Sequence, residues 1–453
     1  MKPIGCKFLA VAIAFIMLSV SSNAQDNGSL NFNGAIEVEG ILGNDDVLPF
    51  WLRANTFAAK AEATNYVVTP DFSLSYAISE RDSISIGASA YFHDGFNDTF
   101  QRNELFLRYR TSWLEVIAGS KRIQERFHGA SIVADNFWMS GNARPLPGLL
   151  LQAPEYLKLT NSLRLDYALG HFFLNDDRVV QDAWVHYKRF GLSWSFSRKT
   201  SLVFEVEHYA QWSGTSPDFG KQPNDFSDFI DVFLASEGGE NAADTDRRNA
   251  TGEHMGLFNL VYQYKPAIGT YSIYHEHPIE DGSGTRLKNF PDGIWGIAFT
   301  ANEKRYTSVL KAIVLEYIQT TDQSGRTGRS GNDNYFNGGV YRSGWSYEQQ
   351  IIGLPFIQLN PNGIRIQNNR LRALHFGIVM RSRSFEYRLK STAIENLGTY
   401  GEPFDPKQRA LHNSIEISYE TDSYGSFILR GGYDFLEFRD DAYGAGMAYR
   451  YVF

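Results

Sequence analysis

The sequence predicts an all-β, transmembrane, antiparallel β-barrel. Three observations carry that reading. Apolar and polar residues alternate with period two along most of the chain. The alternating segments run for about ten residues, the length of a tilted strand that spans a bilayer. Short polar turns interleave with long polar loops, as in barrels with periplasmic turns and external loops.

The first element is a leader. Lys2 and Lys7 precede an apolar run from Phe8 to Val20, and Ser22-Asn23-Ala24 supply small residues for cleavage before Gln25. That order is a secretory signal, residues 1–24, which leaves 25–453 as a single barrel domain. Cys6 is the one cysteine and departs with the leader, so folding needs no disulfide. No later stretch approaches 18 consecutive apolar residues, which argues against helical spans.

The strands follow in order. Phe72, Leu74, Tyr76 and Ile78 oppose Asp71, Ser73, Ser75 and Ser79; after a turn at Glu80-Arg81-Asp82, Ile84, Ile86, Ala88, Ala90 and Phe92 continue. Arg189-Phe190-Gly191, Ser382-Arg383 and Thr421-Asp422-Ser423 read as further tight turns. Leu374, Phe376, Ile378 and Met380 lead into Phe385, Tyr387 and Leu389, with Glu386, Arg388 and Lys390 on the other face. At the end, Tyr443, Ala445, Met447, Tyr449, Tyr451 and Phe453 share one face. This aromatic strand ending at Phe453 resembles the signal that barrel-insertion machinery reads. A soluble sandwich also alternates, but there are too many strand candidates for one sandwich. At roughly 24 residues per strand and loop the part after the leader, residues 25–453, divides into about 18 strands, and 16 fits nearly as well.

Two helices interrupt the pattern. Phe226, Phe229, Ile230, Phe233 and Leu234 fall at i, i+3, i+4, i+7 and i+8 within 222–236, started by Pro223-Asn224 and stopped by Gly238-Gly239. A weaker, Ala-rich candidate spans Phe50 to Ala63. Such short helices would plug or cap the lumen, or else pack on a rim.

Composition narrows the function. Lys and Arg number 43 against 51 Asp and Glu, a net charge of −8, which argues against nucleic-acid binding. Aromatic residues make up 15% of the chain, and the composition excludes collagen, coiled coil, disorder and a disulfide scaffold. Catalytic signatures are weak. There is no Gly-x-Ser-x-Gly elbow. His275 and His277 would share a strand face without a third ligand, so a hydrogen-bonding role is the better reading than zinc. Glu205 and Glu207 share a face but fit a luminal network with Arg108, Arg110 and Arg430 better than glycosidase chemistry. The expectation is no enzyme, no metal and no cofactor.

Several segments, taken in order, resemble the Wzi family of capsule-assembly outer-membrane proteins. They are Leu48-Pro49-Phe50-Trp51-Leu52 with Asn55; Asn142-Ala143-Arg144-Pro145-Leu146-Pro147-Gly148; Glu280-Asp281-Gly282-Ser283-Gly284; Leu315-Glu316-Tyr317 with Thr320; and Asn334-Tyr335-Phe336-Asn337-Gly338 through Tyr341, Gly344-Trp345-Ser346-Tyr347, Gly353 and Pro355. The resemblance implies an 18-stranded barrel with its interior closed by helices, acting as a lectin rather than an open pore. It assigns no glycan-contacting residue. Arg144, Pro145, Pro147, Gly148, Asp281 and Gly282 belong to its motifs, as surface contacts or as braces of the interior.

Aromatic residues in polar loops are the local case for sugar binding, since an aromatic face packs on a pyranose while polar neighbours bond its hydroxyls. Trp212, Tyr335, Tyr341, Trp345 and Tyr347 are such positions, and Arg326 and Arg329 would meet an acidic polymer. The expected function is a monomeric, non-enzymatic lectin in the outer membrane of a Gram-negative bacterium, anchoring or organising capsular polysaccharide. Its other partners would be outer-membrane lipids and the insertion machinery. A channel or transporter for small or apolar solutes is the alternative, and a barrel hydrolase the next.

Overall fold

The computed structural model describes residues 30–236, 251–302, 309–325 and 333–453. The expected leader lies outside them. Among the described residues, eighteen antiparallel strands form the wall. They are β1 (Leu30–Gly43), β2 (Tyr66–Ala77), β3 (Ser83–His93), β4 (Phe100–Arg110), β5 (Glu115–Ser120) and β6 (Gly148–Gln152, continued by Leu157–Lys158). Next come β7 (Leu163–Leu174), β8 (Ala183–Ser195), β9 (Thr200–Trp212), β10 (Glu253–Tyr264), β11 (Gly269–Ile279) and β12 (Gly293–Ala301). The last six are β13 (Leu310–Gln319), β14 (Leu371–Ser382), β15 (Phe385–Gly398), β16 (Pro403–Glu420), β17 (Ser426–Leu436) and β18 (Ala442–Val452). Sequence neighbours pair throughout, and β18 pairs with β1, Tyr449 opposite Val38, so the sheet closes and leaves no free edge.

Period two sets the faces of this wall. On β18, Tyr443, Met447, Tyr449 and Tyr451 are exposed outward while Ala442 and Ala448 are buried inward. On β14, Leu374 and Phe376 point out, and Ala373, His375 and Val379 point in. Trp194 near one end of β8 and Trp184 near the other are about 10 residues apart, roughly 23 Å of membrane height for a strand tilted near 45°. That matches an apolar band between aromatic girdles.

Arg189-Phe190-Gly191 is not a turn. It lies within β8, where Gly191 passes close to Tyr156, Glu205 and Asp166; the turn comes at Ser197–Thr200. Local glycine content cannot separate a turn from a strand position where a side chain would crowd its neighbours.

Connections at the end of the barrel holding Leu30 and Val452 are short, and the long ones lie at the opposite end. Three of the long ones, residues 44–65, 121–147 and the described parts of the last, 320–325 and 333–370, fold into the lumen. Their Ile132, Phe137, Trp138, Tyr335, Trp345, Leu354 and Phe356 join inward wall residues Val185, Tyr209, Leu257, Ile294, Val314 and Ala373 in one hydrophobic core. The plug is therefore made mainly of loop.

The helices differ from expectation in two ways. The Phe50–Ala63 candidate shrinks to α1 (Phe50–Arg53). Tertiary contacts override its alanine content: Asp434 accepts from the Phe50 amide at 2.7 Å, the Trp51 indole donates to Thr392 Oγ1 at 3.0 Å, and Asn55, Phe57 and Ala58 take positive φ. The second helix, α2 (Phe226–Leu234), forms as expected. Asp225 and Asp228 close a capping box, and left-handed Ala235 ends it. It does not enter the lumen. It packs on the outer wall, where Phe229 meets His171, His186 and Trp212.

Candidate functional site

Carboxylates on the inner wall hold the plug in place. Glu316 on β13 is fully buried; its Oε2 accepts from the Ile132 amide at 2.8 Å. Its Oε1 accepts from Ser131 Oγ at 2.6 Å, Tyr274 Oη at 2.6 Å and Arg126 Nη2 at 3.0 Å. Glu276 on β11 accepts from the Phe137 amide at 2.8 Å and pairs with Arg126 as well. Glu207 on β9 accepts from Tyr187 and Tyr209, each at 2.8 Å, and from Asn136 at 3.2 Å. Charge-assisted bonds to backbone amides are strong and directional, so these carboxylates fix the loop's path. Arg126, wedged between Glu276 and Glu316, has its pKa raised: burial opposes its charge, but Glu276, Tyr274 and Glu316 favour it more strongly.

The same device recurs in the outer loops. Asp292 accepts from the amides of Thr321, Asp322 and Gln323 at 2.8–3.0 Å, and Glu280 from the Phe336 amide at 2.9 Å. Burial pushes Asp333 up to about 6, with the Asp281 charge adding to the shift.

Beside the apolar core the lumen keeps a polar chamber of about 260 Å³. It lies between the 51–60 segment and the inward faces of β1, β2 and β15–β18. Arg430 bridges Glu416 at 2.7 Å, Glu39 at 2.9 Å and Glu37 at 3.4 Å. Lys60 sits 3.0 Å from both oxygens of Glu39, and Arg388 pairs with Glu416 at 3.2 Å. Burial, then Arg430, lowers the Lys60 pKa, and Glu39 opposes the shift. Arg430 therefore takes different partners from those expected. Arg108 and Arg110 approach Glu115 at 3.9 and 4.0 Å, and Glu205 accepts from Tyr156 at 2.5 Å and Asn259 at 2.7 Å.

The family assignment rests on the stretch that contains most of this plug. Residues 88–356, more than half the chain, match the family model described as capsule assembly protein Wzi. The chain belongs to the Wzi family. Among solved structures, this Wzi-family barrel is similar to Wzi of Escherichia coli, described as a carbohydrate-binding β-barrel of the outer membrane involved in group 1 capsule assembly. The TM-score is 0.58 at 12% identity, covering 91% of this chain and 83% of that one. Pseudomonas aeruginosa OpdO gives 0.49 at 12% identity, covering 93% and 97%, and OccK5 of the same organism 0.47 at 10%, covering 93% and 98%. At 12% identity the likeness to the Escherichia coli protein is one of fold. No curated protein matches the sequence.

In this Wzi-family barrel the sequence-predicted aromatic residues converge, but on the interior. Tyr335, Tyr341, Trp345 and Tyr347 are at most 2% exposed. Trp345 donates to Trp138 O at 2.7 Å, Tyr341 to Ser213 O at 3.0 Å and Tyr347 to Asn175 Oδ1 at 2.8 Å; Tyr335 accepts from Asn289 at 2.6 Å. Trp212 is buried too, against the outer wall under α2. Arg326 and Arg329 lie outside the described residues.

The first four motif residues brace the same interior, and Asp281 and Gly282 shape an outer loop. Arg144 donates to Arg102 O at 2.8 Å and pairs with Glu348 at 2.5 Å. The carbonyls of Pro145 and Pro147 accept from Arg102 and from the Phe173 amide. Gly148 opens β6 where a side chain would strike His171 O at 2.2 Å. Asp281 caps the amides of Ser283 and Gly284, and Gly282 O accepts from Thr285. His275 and His277 bond the carbonyls of Ile294 and Gly284.

The structure adds residues that the sequence did not single out. Arg102, Asn175 and Glu348 reach solvent where the Tyr347 hydroxyl and Arg144 end. Their one sequence signal is the short Asn175-Asp176-Asp177-Arg178 connection. Asp176 accepts from the Glu348 amide at 2.9 Å, and buried Arg178 donates to Ser346 O at 3.0 Å. The result is a polar surface on the plug's outer side, tied to the plug by these bonds.

Proposed function

We propose that this chain is a non-enzymatic outer-membrane lectin that anchors or organises capsular polysaccharide at the cell surface. The filled lumen carries the reading. A hydrophobic core joins loops to wall across the barrel interior, which suits a binding platform better than a conduit. Membership of the capsule-assembly family supplies the polymer class. The glycan-facing surface in this proposal is the plug's outer side around Arg102, Asn175 and Glu348, with Tyr335, Tyr341, Trp345 and Tyr347 as its buried support. Many barrels on one polymer give retention even when each contact is weak. The proposal includes a leader cleaved near Ala24, insertion through the strand ending at Phe453, and a monomeric barrel.

The test is the ratio of cell-attached to released capsular polysaccharide in a strain lacking the gene. The expected result is normal synthesis with polymer shed into the medium, restored by the wild-type gene. Unchanged attachment would defeat the proposal, and single-channel conductance of the purified barrel would then test transport.

A further inference from the structure

We propose that α2 is a membrane-embedded helix, seated on the outer wall with its exposed apolar face in contact with lipid acyl chains of the outer leaflet.

The wall beneath α2 carries polar side chains on its outward face. Two and four residues below Trp184, β8 turns His186 and Lys188 outward, and β9 adds His208 beside them. Polar side chains on the lipid face of a barrel are costly near the membrane interior. Here protein replaces lipid over them. His186 is fully buried among α2 side chains, with no hydrogen-bond partner at either ring nitrogen. Lys188 donates to Phe233 O near the helix C-terminus and lies 4.4 Å from the Phe233 ring centre. A cation at that negative helix end is favourably placed.

The rest of the helix surface divides in two. Phe226, Ile230 and Leu234 form a stripe at i, i+4 and i+8, turned away from the wall; Phe226 is 78% and Leu234 64% exposed. Asp228 and Asp231 lie along the opposite edge. An apolar edge against a charged edge is an amphipathic arrangement that suits a helix lying along a membrane. The stripe also continues an existing lipid contact, since outward Leu169, Phe173, Phe190 and Leu260 on the surrounding strands are exposed apolar groups of the band. Acyl chains are the occupant that wall and stripe share.

The test uses the full chain in phosphatidylcholine vesicles. With the native cysteine removed by Cys6→Ser, single-cysteine variants Ile230→Cys, Leu260→Cys on the open wall and Lys221→Cys in the polar loop are labelled with an environment-sensitive dye. Quenching is read with bromine on the acyl chains and with aqueous iodide. Heat-dependent gel mobility confirms that each variant is folded. The expected result is bromolipid quenching at Ile230→Cys within about twofold of Leu260→Cys and roughly threefold or more above Lys221→Cys. Iodide quenching like that of Lys221→Cys would overturn the proposal, because the stripe would then face water. Protection from both quenchers would also overturn it, because protein and not lipid would cover the stripe.

Discussion

The lumen has two halves that use the same residue types in opposite ways. On the β9–β13 side, Glu207, Glu276 and Glu316 are buried and spend their lone pairs on backbone amides, hydroxyls and one shared guanidinium. On the β15–β18 side, Glu37, Glu39 and Glu416 pair with Arg388, Arg430 and Lys60 around a chamber of about 260 Å³. A carboxylate in the dry half has no substitute partner. One in the wet half has neighbouring ions and a chamber beside it. Inward charge thus specifies a loop path in one half and keeps a cavity polar in the other.

Removing a carboxylate from the dry half should break this contrast most visibly. Glu316→Ala leaves the Ile132 amide, Ser131 and Tyr274 without their acceptor and leaves Arg126 one carboxylate, Glu276, beside its bonds to Ser131 Oγ and Asp135 O. The expected loss is about 3–5 kcal/mol, the range for half of a buried ion pair. Urea unfolding in lipid vesicles measures it, and proteolysis should show the 121–147 segment released first. The matching change in the wet half, Glu416→Ala, leaves Arg430 with Glu37 and Glu39 but takes the carboxylate from Arg388, and a smaller loss of about 1–2 kcal/mol is expected. Equal losses in the two variants would end the distinction.

Tyr347→Phe sharpens the comparison at the plug's outer side. It keeps the buried ring and removes the bonds with Asn175 and Arg102. The expected cost is about 1 kcal/mol, with glycan retention close to normal, because the ring supports the surface without forming it. Loss of retention at unchanged stability would make Tyr347 a contact residue.

These contrasts mark what the sequence could convey. Which face of each strand meets lipid was readable from period two alone, because the bilayer imposes it locally: Tyr443 to Tyr451 point outward as the alternation predicts. Unusual aromatic content in 334–347 was readable as well, but its surroundings were not. Trp345 is buried by Trp138, 207 residues earlier, and nothing near Trp345 announces that meeting. The same holds for Arg430, whose partners depend on barrel closure between β18 and β1. The amphipathic period of α2 gave a helix without giving its side of the wall, since a stripe fits a lumen or a bilayer equally well.

The last predicted effect concerns pH and the loops that cap the dry half. Burial and the nearby Asp281 charge raise Asp333 to about 6, above the usual value near 4. The folded loops therefore hold this proton more tightly than the unfolded chain does. Its contribution to stability is complete below about pH 4 and is lost as pH rises through about 6. Glu280 shifts in the same direction, through burial and then the Asp333 charge, so the two carboxyls oppose joint ionisation. Amide exchange across 280–292, corrected for intrinsic rates, should show weaker protection at pH 7 than at pH 4. Asp333→Asn should flatten most of that difference, because its amide stays neutral beside Ser324 and Ser283 at either pH. A pH dependence unchanged in the variant would place the titrating group elsewhere and leave the capping loops, like the wet chamber, indifferent to a single carboxylate.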